Sequence, residues 1–153
     1  MASTQQGQTL LDRLGVRRVI NGRSWVTILG GSIMPPEVLQ AMVEASQCYL
    51  DMHQLNKKAG EVIAKYTGAE AGLVTAGAAA GMLLQAAACM AGSDPARIAQ
   101  LPDTAGMRNE IVVHRSHQVG FLQAYRMAGA RLVEIGDQKG TSADELEAAI
   151  GPR

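Results

Sequence analysis

Aromatic side chains are scarce in this chain: they make up 3% of it, as one Trp, three Tyr and one Phe. A core with so few large rings is built from Ala, Met and Leu, which favours closely packed helices over a β-sandwich. An excess of charge of either sign is missing too. Fourteen Lys and Arg stand against 14 Asp and Glu, so no global field draws the chain to nucleic acid or to an anionic membrane. Cysteine is limited to Cys48 and Cys89, with no His at metal-ligand spacing. No metal set is expected; both thiols fall in expected helices and read as buried and reduced, which suits a cytoplasmic protein. Met1 to Gln8 are polar and lack the basic-then-apolar pattern of a secretory signal. A long run of large aliphatics is absent as well. Residues 71–93 carry no charge and place Gly77 and Gly81 at the GxxxG spacing of a membrane-helix dimer face. Yet Ala and Gly dominate that stretch, Thr75-Ala76-Gly77 interrupts it, and no Lys or Arg cluster flanks it. It reads as a helix covered on both faces, with no membrane partner.

What is present suffices for one ordinary domain: 153 residues, 47% of them hydrophobic. Residues 1–15 read as an arm with a short helix at Leu10–Leu14, and residues 16–68 as an extended and helical segment. In that segment Val16–Ile20 is extended, Asn21-Gly22 is a turn, and Trp25–Leu29 is β-like and ends at Gly30-Gly31-Ser32. Pro35-Pro36 opens a helix whose apolar positions Val38, Leu39, Met42 and Val43 predict one buried face. Asp51 and Gln54 form a capping-box pattern for a second helix, with Leu55, Ala59, Val62, Ile63 and Tyr66 on one stripe and Glu61 a turn from Lys65.

From residue 69 to 153 the pattern changes to β-α-β-α-β-α. Strands are expected at Ala71–Thr75, Ile111–His114 and Arg131–Ile135, with helices at 78–91, at 118–128 and from Ser142 onward. Short apolar strands alternating with helices argue for an α/β fold with a parallel sheet and right-handed crossovers. Ligands in such sheets sit beyond the carboxyl ends of the strands. Three segments converge there: Ala76–Ala79, Arg115–Gln118 and Gly136–Gly140. The loop at 92–109 is long enough to be functional. Three parallel strands are few, and the sequence stops at Gly151-Pro152-Arg153 directly after an expected helix. The expectation is the front portion of a larger domain.

The stretch Val74-Thr75-Ala76-Gly77-Ala78-Ala79-Ala80-Gly81 carries the most chemistry. A strand end, a turn of small residues and a helix start leave backbone N–H groups free, and small side chains let an anion approach them. The alternative is a packing turn that needs small residues to seat a helix on a sheet. Arg115 and His117 follow the next expected strand: an imidazole there can stack on a flat ring, and a guanidinium can clamp a carboxylate or phosphate. Their alternatives are a solvated charge and a capped loop histidine. His114 ranks below His117, because it faces away from its strand neighbours, and His53, in a first helical turn near Asp51, reads as structural.

Several stretches in order resemble one family: Val19-Ile20-Asn21, Val26–Ser32, Met34-Pro35-Pro36-Glu37-Val38, Lys58-Ala59-Gly60-Glu61, Thr67–Ala71, Val74–Ala80, Asn109–Val113 and Ala128–Gly136. Together they span nearly the whole chain from about residue 13 and resemble the N-terminal region of selenocysteine synthase-like proteins. These are pyridoxal-phosphate-dependent enzymes of the aspartate aminotransferase-like fold, fold type I, with a three-layer parallel-sheet large domain. Their relatives include seryl-tRNA selenium transferases and ammonia-lyases acting on amino-sugar acid phosphates. The resemblance implies pyridoxal 5'-phosphate as cofactor, its phosphate on Gly77, Ala78 and Ala79, its ring beside His117, and a substrate group on Arg115. It implies a small amino-acid-like or phosphorylated substrate and a homodimer or higher homo-oligomer to which the arm contributes. Zero net charge is mild evidence against a tRNA-binding surface in this segment, without excluding tRNA. The chain departs from the family at Gly22-Arg23-Ser24-Trp25, where relatives have small residues, and a Trp and an Arg there would reshape the substrate mouth.

The resemblance also places the Schiff-base lysine and the acid facing the pyridine nitrogen later than this chain extends. The four lysines present are Lys57, Lys58, Lys65 and Lys139. Three precede the phosphate turn and the fourth lies in the polar turn Asp137–Gly140, so none matches, and the catalytic residues stay unknown. The chain is expected to be one part of a lyase or transferase, with the other part in a second chain or lost. Two further readings stand beside it. One is a non-catalytic remnant or oligomerisation module that keeps a phosphate pocket. The other is an unrelated phosphate-binding module, disfavoured because the turn lacks the Lys-Ser/Thr of a P-loop and the spacing of a dinucleotide fingerprint.

Overall fold

The computed structural model describes residues 9–117 and 120–151. Residues 1–8 of the expected arm, Gln118 at the start of the expected 118–128 helix, and the terminal Pro152-Arg153 lie outside them. The described residues fall into two compact units that divide between Leu55 and Asn56. Among the described residues no helix is long and apolar enough to cross a membrane.

The first unit is made of short helices held by local hydrogen bonds. Helix α1 spans Leu10–Arg13 and starts at a capping box, where the Asp12 N–H donates to Thr9 Oγ1 and the Thr9 N–H donates to Asp12 Oδ2. The Thr9 hydroxyl and then its N–H hold the Asp12 carboxyl below its ordinary value near 3.8. Asn21 builds the turn that its Asn-Gly pair announces: its Oδ1 accepts from the Arg23 N–H at 2.8 Å and its Nδ2 donates to the Ser24 carbonyl at 2.7 Å. The expected strand at Trp25–Leu29 is not one. Thr27–Leu29 is a 3-10 turn, and Val26 makes a single bridge with Gly31, because two successive positive-φ glycines, Gly30 and Gly31, fold the segment back on itself.

Helix α2, Pro36–Ala45, begins at its proline as expected. Its apolar positions are not buried: Val38, Leu39, Met42 and Val43 are between 44% and 56% exposed. No described residue of this unit is buried, since it offers no second layer to cover the helix. Cys48 lies in the turn beyond α2 rather than in a helix, and both it and Cys89 are exposed free thiols, not buried ones.

Helix α3, Met52–Thr67, is capped as the sequence indicates, with Asp51 Oδ1 accepting from the N–H groups of His53 and Gln54. Glu61 pairs with Lys58 at 2.8 Å instead of with Lys65, and the Lys58 ammonium holds its carboxyl below the ordinary value near 4.5. The stripe of Leu55, Val62, Ile63 and Tyr66 is exposed, and the residue that α3 buries is Gly60. A side-chain carbon on Gly60 would collide with the Gly72 carbonyl, so the helix lies backbone against backbone on the segment that follows.

That segment, Ala71–Thr75, is expected as a strand but has no strand partner among the described residues. A side chain takes the place of a neighbouring strand: the Asn56 amide donates to the Val74 carbonyl at 3.0 Å and accepts its N–H at 3.2 Å. Helix α4 then runs Ala78–Ala91, the bounds its apolar composition predicts. The 92–109 loop is not all loop. It contains helix α5, Pro95–Gln100, which Asp94 caps by accepting from the N–H groups of Ala96 and Arg97.

Strands β1, Glu110–His114, and β2, Arg131–Ile135, pair in parallel and in register from Glu110 opposite Arg131 to His114 opposite Ile135. An ion pair between Arg131 and Glu110 closes the first rung. The sheet thus has two strands where three were expected, the parallel sense being as read. Between them lie a 3-10 turn at Gly120–Leu122 and helix α6, Gln123–Met127, shorter than the helix expected at 118–128. Helix α7, Ala143–Ala149, starts at Ser142 with a full capping box to Glu145. The core of this unit is Ala86 and Met90 of α4 against Ala128 and Ala130, with Leu83, Ile111 and Tyr125 packed around them.

Candidate functional site

The start of α4 is the first part of the site. Gly77 occupies the N-cap with φ 135° and ψ 170°, a backbone state that L side chains rarely adopt, and no side chain caps the helix. Thr75 Oγ1 donates to the Gly77 carbonyl at 3.0 Å and holds the turn. The N–H groups at the start of a helix have no intrahelical acceptors and carry the positive end of its dipole. Gly77, Ala78 and Ala79 are exposed, and a side-chain carbon on Gly77 would meet nothing within 4 Å. A packing turn that needs small residues would show the reverse, with the helix start pressed against its neighbours. An exposed helix start with no side-chain cap has the chemistry to receive a phosphate group, so this end of the structure fits pyridoxal phosphate.

Beside this turn lies a cavity of about 330 Å³, bounded by Ala79, Ala80 and Leu83 of α4 and by Phe121, Ala124 and Met127. Its wall is apolar apart from the edges of the backbone and Gln123. The expected site residues after β1 sit elsewhere. Arg115, Ser116 and His117 form a 3-10 turn directly beyond the strand. Arg115 Nε lies 3.7 Å from Glu134 Oε2, and the two border a second cavity of about 420 Å³ with Glu145, Ala148 and Ala149 of α7. Ala79 and Arg115 therefore line different cavities, and His117 lines neither of these two.

His117 has a partner that the sequence reading set aside. The His114 and His117 rings meet edge to face, with centroids 5.0 Å apart and planes at 64°. His114 Nδ1 is in turn 2.7 Å from Thr141 Oγ1. Thr141 lies 27 residues along the chain, and no motif or spacing announces it; only the parallel pairing of β1 with β2 brings it there. The Gly136–Gly140 segment does reach the carboxyl edge of the sheet as expected, directly after β2. Lys139 lies in it, its N–H donating to Asp137 Oδ1 at 2.7 Å. Among the described residues no group of three His, Cys, Asp or Glu could hold a metal ion.

Comparison with known proteins gives this geometry a context. No protein-family profile matches the chain. Over 148 residues, 94% of its length, the chain is 38% identical to a D-glucosaminate-6-phosphate ammonia lyase of Salmonella typhimurium. A solved structure of D-glucosaminate-6-phosphate ammonia-lyase, also 38% identical, superimposes on 95% of the chain with a TM-score of 0.89. The chain has the fold of part of an ammonia-lyase. It spans 40% of the length of that enzyme, both by sequence and by structure. A 5'-C-glycyluridine monooxygenase-decarboxylase of a Streptomyces species is 36% identical over 145 residues, 92% of this chain and 36% of its own. These likenesses support the pyridoxal-phosphate-dependent family that the sequence resembles, by way of its ammonia-lyases, and do not single out selenocysteine synthase. A lyase and a monooxygenase-decarboxylase share this region, so the region by itself does not specify a reaction.

Proposed function

We propose that this chain supplies the cofactor-phosphate grip of a pyridoxal-phosphate-dependent lyase or transferase acting on a small amino-acid-like or phosphorylated substrate, on the pattern of the ammonia-lyases. The observation that carries the reading is the start of α4: exposed, uncapped, and open in front of Gly77. The N–H groups of Ala78 and Ala79, with that of Gly77, would hold the phosphate dianion, and the α4 dipole adds ~0.3–2 kcal/mol to those hydrogen bonds. His117 would face the pyridine ring. Arg115, once released from Glu134, would take a substrate carboxylate or phosphate. Bound here, the cofactor supplies an electron sink at the substrate's α-carbon. This chain's own residues bind and orient.

None of its four lysines matches the Schiff-base position that the resemblance implies; Lys58 is paired with Glu61, and Lys139 lies in the Asp137 turn. The chemistry therefore belongs to an assembly with the remainder of the enzyme, as part of a homodimer or higher homo-oligomer. The free, exposed thiols Cys48 and Cys89 accord with a reducing, cytoplasmic setting.

Ala78→Asp tests the grip. A carboxylate in the first helical turn favours the helix dipole, so the thermal midpoint holds or rises slightly, while the same charge repels a phosphate. Calorimetric titration of the chain with pyridoxal phosphate and with inorganic phosphate should show affinity for both falling by roughly tenfold or more. Unchanged affinity in this variant, with the fold intact, would remove α4 from the site.

A further inference from the structure

The last residue of β1 is tied to the loop after β2 by a side-chain hydrogen bond, between His114 Nδ1 and Thr141 Oγ1 at 2.7 Å. A hydroxyl can donate or accept, so it complements Nδ1 in either imidazole tautomer. Thr141 is itself confined. A side-chain carbon on Gly136, where φ is 72°, would collide with Thr141 Oγ1 and the Gly140 carbonyl, so only glycine lets the hydroxyl lie against this turn. The turn is closed from within. The Asp137 N–H donates to the Gly140 carbonyl at 2.9 Å, and Asp137 Oδ1 accepts from the N–H groups of Lys139 at 2.7 Å and Gly140 at 3.1 Å. On the other side Ser142 is committed to capping α7. Thr141 thus stands between a closed turn and a capped helix.

His117, by contrast, sits on an exposed 3-10 turn, and its ring meets that of His114 at a steep angle. A ring so placed would otherwise exchange among rotamers. We infer that His114 is a positioning residue: held at Nδ1 by Thr141, its ring sets the orientation of the His117 imidazole. The inference rests on the reading of His117 as the group facing the cofactor ring, and it makes Thr141, remote in sequence, part of that site's support.

Nuclear magnetic resonance of the full chain tests it without any turnover. Thr141→Val removes the hydroxyl at nearly constant shape, Thr141→Ser restores it, and His117→Ala assigns the ring signals. Wild type and Thr141→Ser should show cross-peaks between the His114 and His117 rings. Thr141→Val should lose them and shift the His117 ring signals while the backbone amide spectrum stays folded. His114→Phe, which keeps a ring but not Nδ1, should also shift them. Cross-peaks and His117 signals that survive Thr141→Val would overturn the inference.

Titration with pyridoxal phosphate separates this from the reading beneath it. Affinity should weaken by roughly threefold in Thr141→Val and recover in Thr141→Ser. If pyridoxal phosphate leaves the wild-type His117 signals unmoved, the placement of His117 at the cofactor fails, while the cross-peaks still decide whether His114 orients it. If the cross-peaks are lost and affinity is unchanged, orientation of His117 has no bearing on the cofactor and the inference fails as a statement about the site.

Discussion

Gly60 and Gly77 are both small, and they are small for opposite reasons. Gly60 is buried on α3, with the Gly72 carbonyl where a side chain would go. Gly77 has free space around it and is held to glycine by its backbone angle. Gly60→Ala gains ~1 kcal/mol of helix propensity but forces a clash with backbone that cannot step aside, an overpacking cost of ~1–3 kcal/mol or more. The second effect wins. Urea denaturation should show a net loss of up to ~2 kcal/mol, and a raised midpoint would mean that α3 and the Gly72 segment are not in contact. Residue identity alone gives no hint of this difference, since both positions read as glycine beside alanine. Arg115 carries a similar lesson. Its place directly after β1 was legible, but its ion pair with Glu134 was not.

At the scale of elements, local hydrogen bonding explains which boundaries were legible. Helix α4 runs from residue 78 to 91 and β2 from 131 to 135, as their sequence patterns say, and α7 starts at the Ser142 and Glu145 box. Caps and periodicities act within a turn or two, so they can be read from neighbours. Ser142→Ala should therefore destabilise α7 by ~0.5–2 kcal/mol. Because Ser142 adjoins Thr141, exchange of the α7 amides should quicken, and a slower or equal rate would show that the box contributes nothing. Two segments expected to be strands were misread. Ala71–Thr75 has strand composition, but a strand exists only where another backbone accepts its hydrogen bonds, and here the Asn56 amide takes that place. Trp25–Leu29 likewise turns back on itself at Gly30 and Gly31.

Over the whole chain, the second unit owes its cohesion to small side chains. Ala86 is 1% exposed and packs with Met90, Ala128 and Ala130, and it is not among the α4 residues that line the cavity beside Phe121 and Met127. Ala86→Leu should cost ~1–3 kcal/mol by overpacking, read as a lowered urea midpoint. A stabilised variant would mean that the added side chain reaches the cavity lined by Leu83 and Ala124. The exposed apolar faces of α2 and α3 are the other large-scale feature. Val38, Leu39, Met42, Val43, Val62 and Tyr66 repeat with helical spacing yet stay at least 44% exposed. The periodicity announces a covered face, and the chain spans only 40% of the ammonia-lyase it matches.

The amino-acid sequence by itself determined the α/β alternation, the helix caps, the small-residue turn before α4 and the parallel sense of the strands. Each of these follows from interactions among residues close along the chain or from rules on how such units connect. Tertiary structure alone decided that Ala71–Thr75 and Trp25–Leu29 do not pair as strands, that the helix start at Gly77 is open instead of packed, and that His114, His117 and Thr141 meet. Those outcomes depend on which surfaces come together across tens of residues. Local propensity carries no information about that until the backbones have paired.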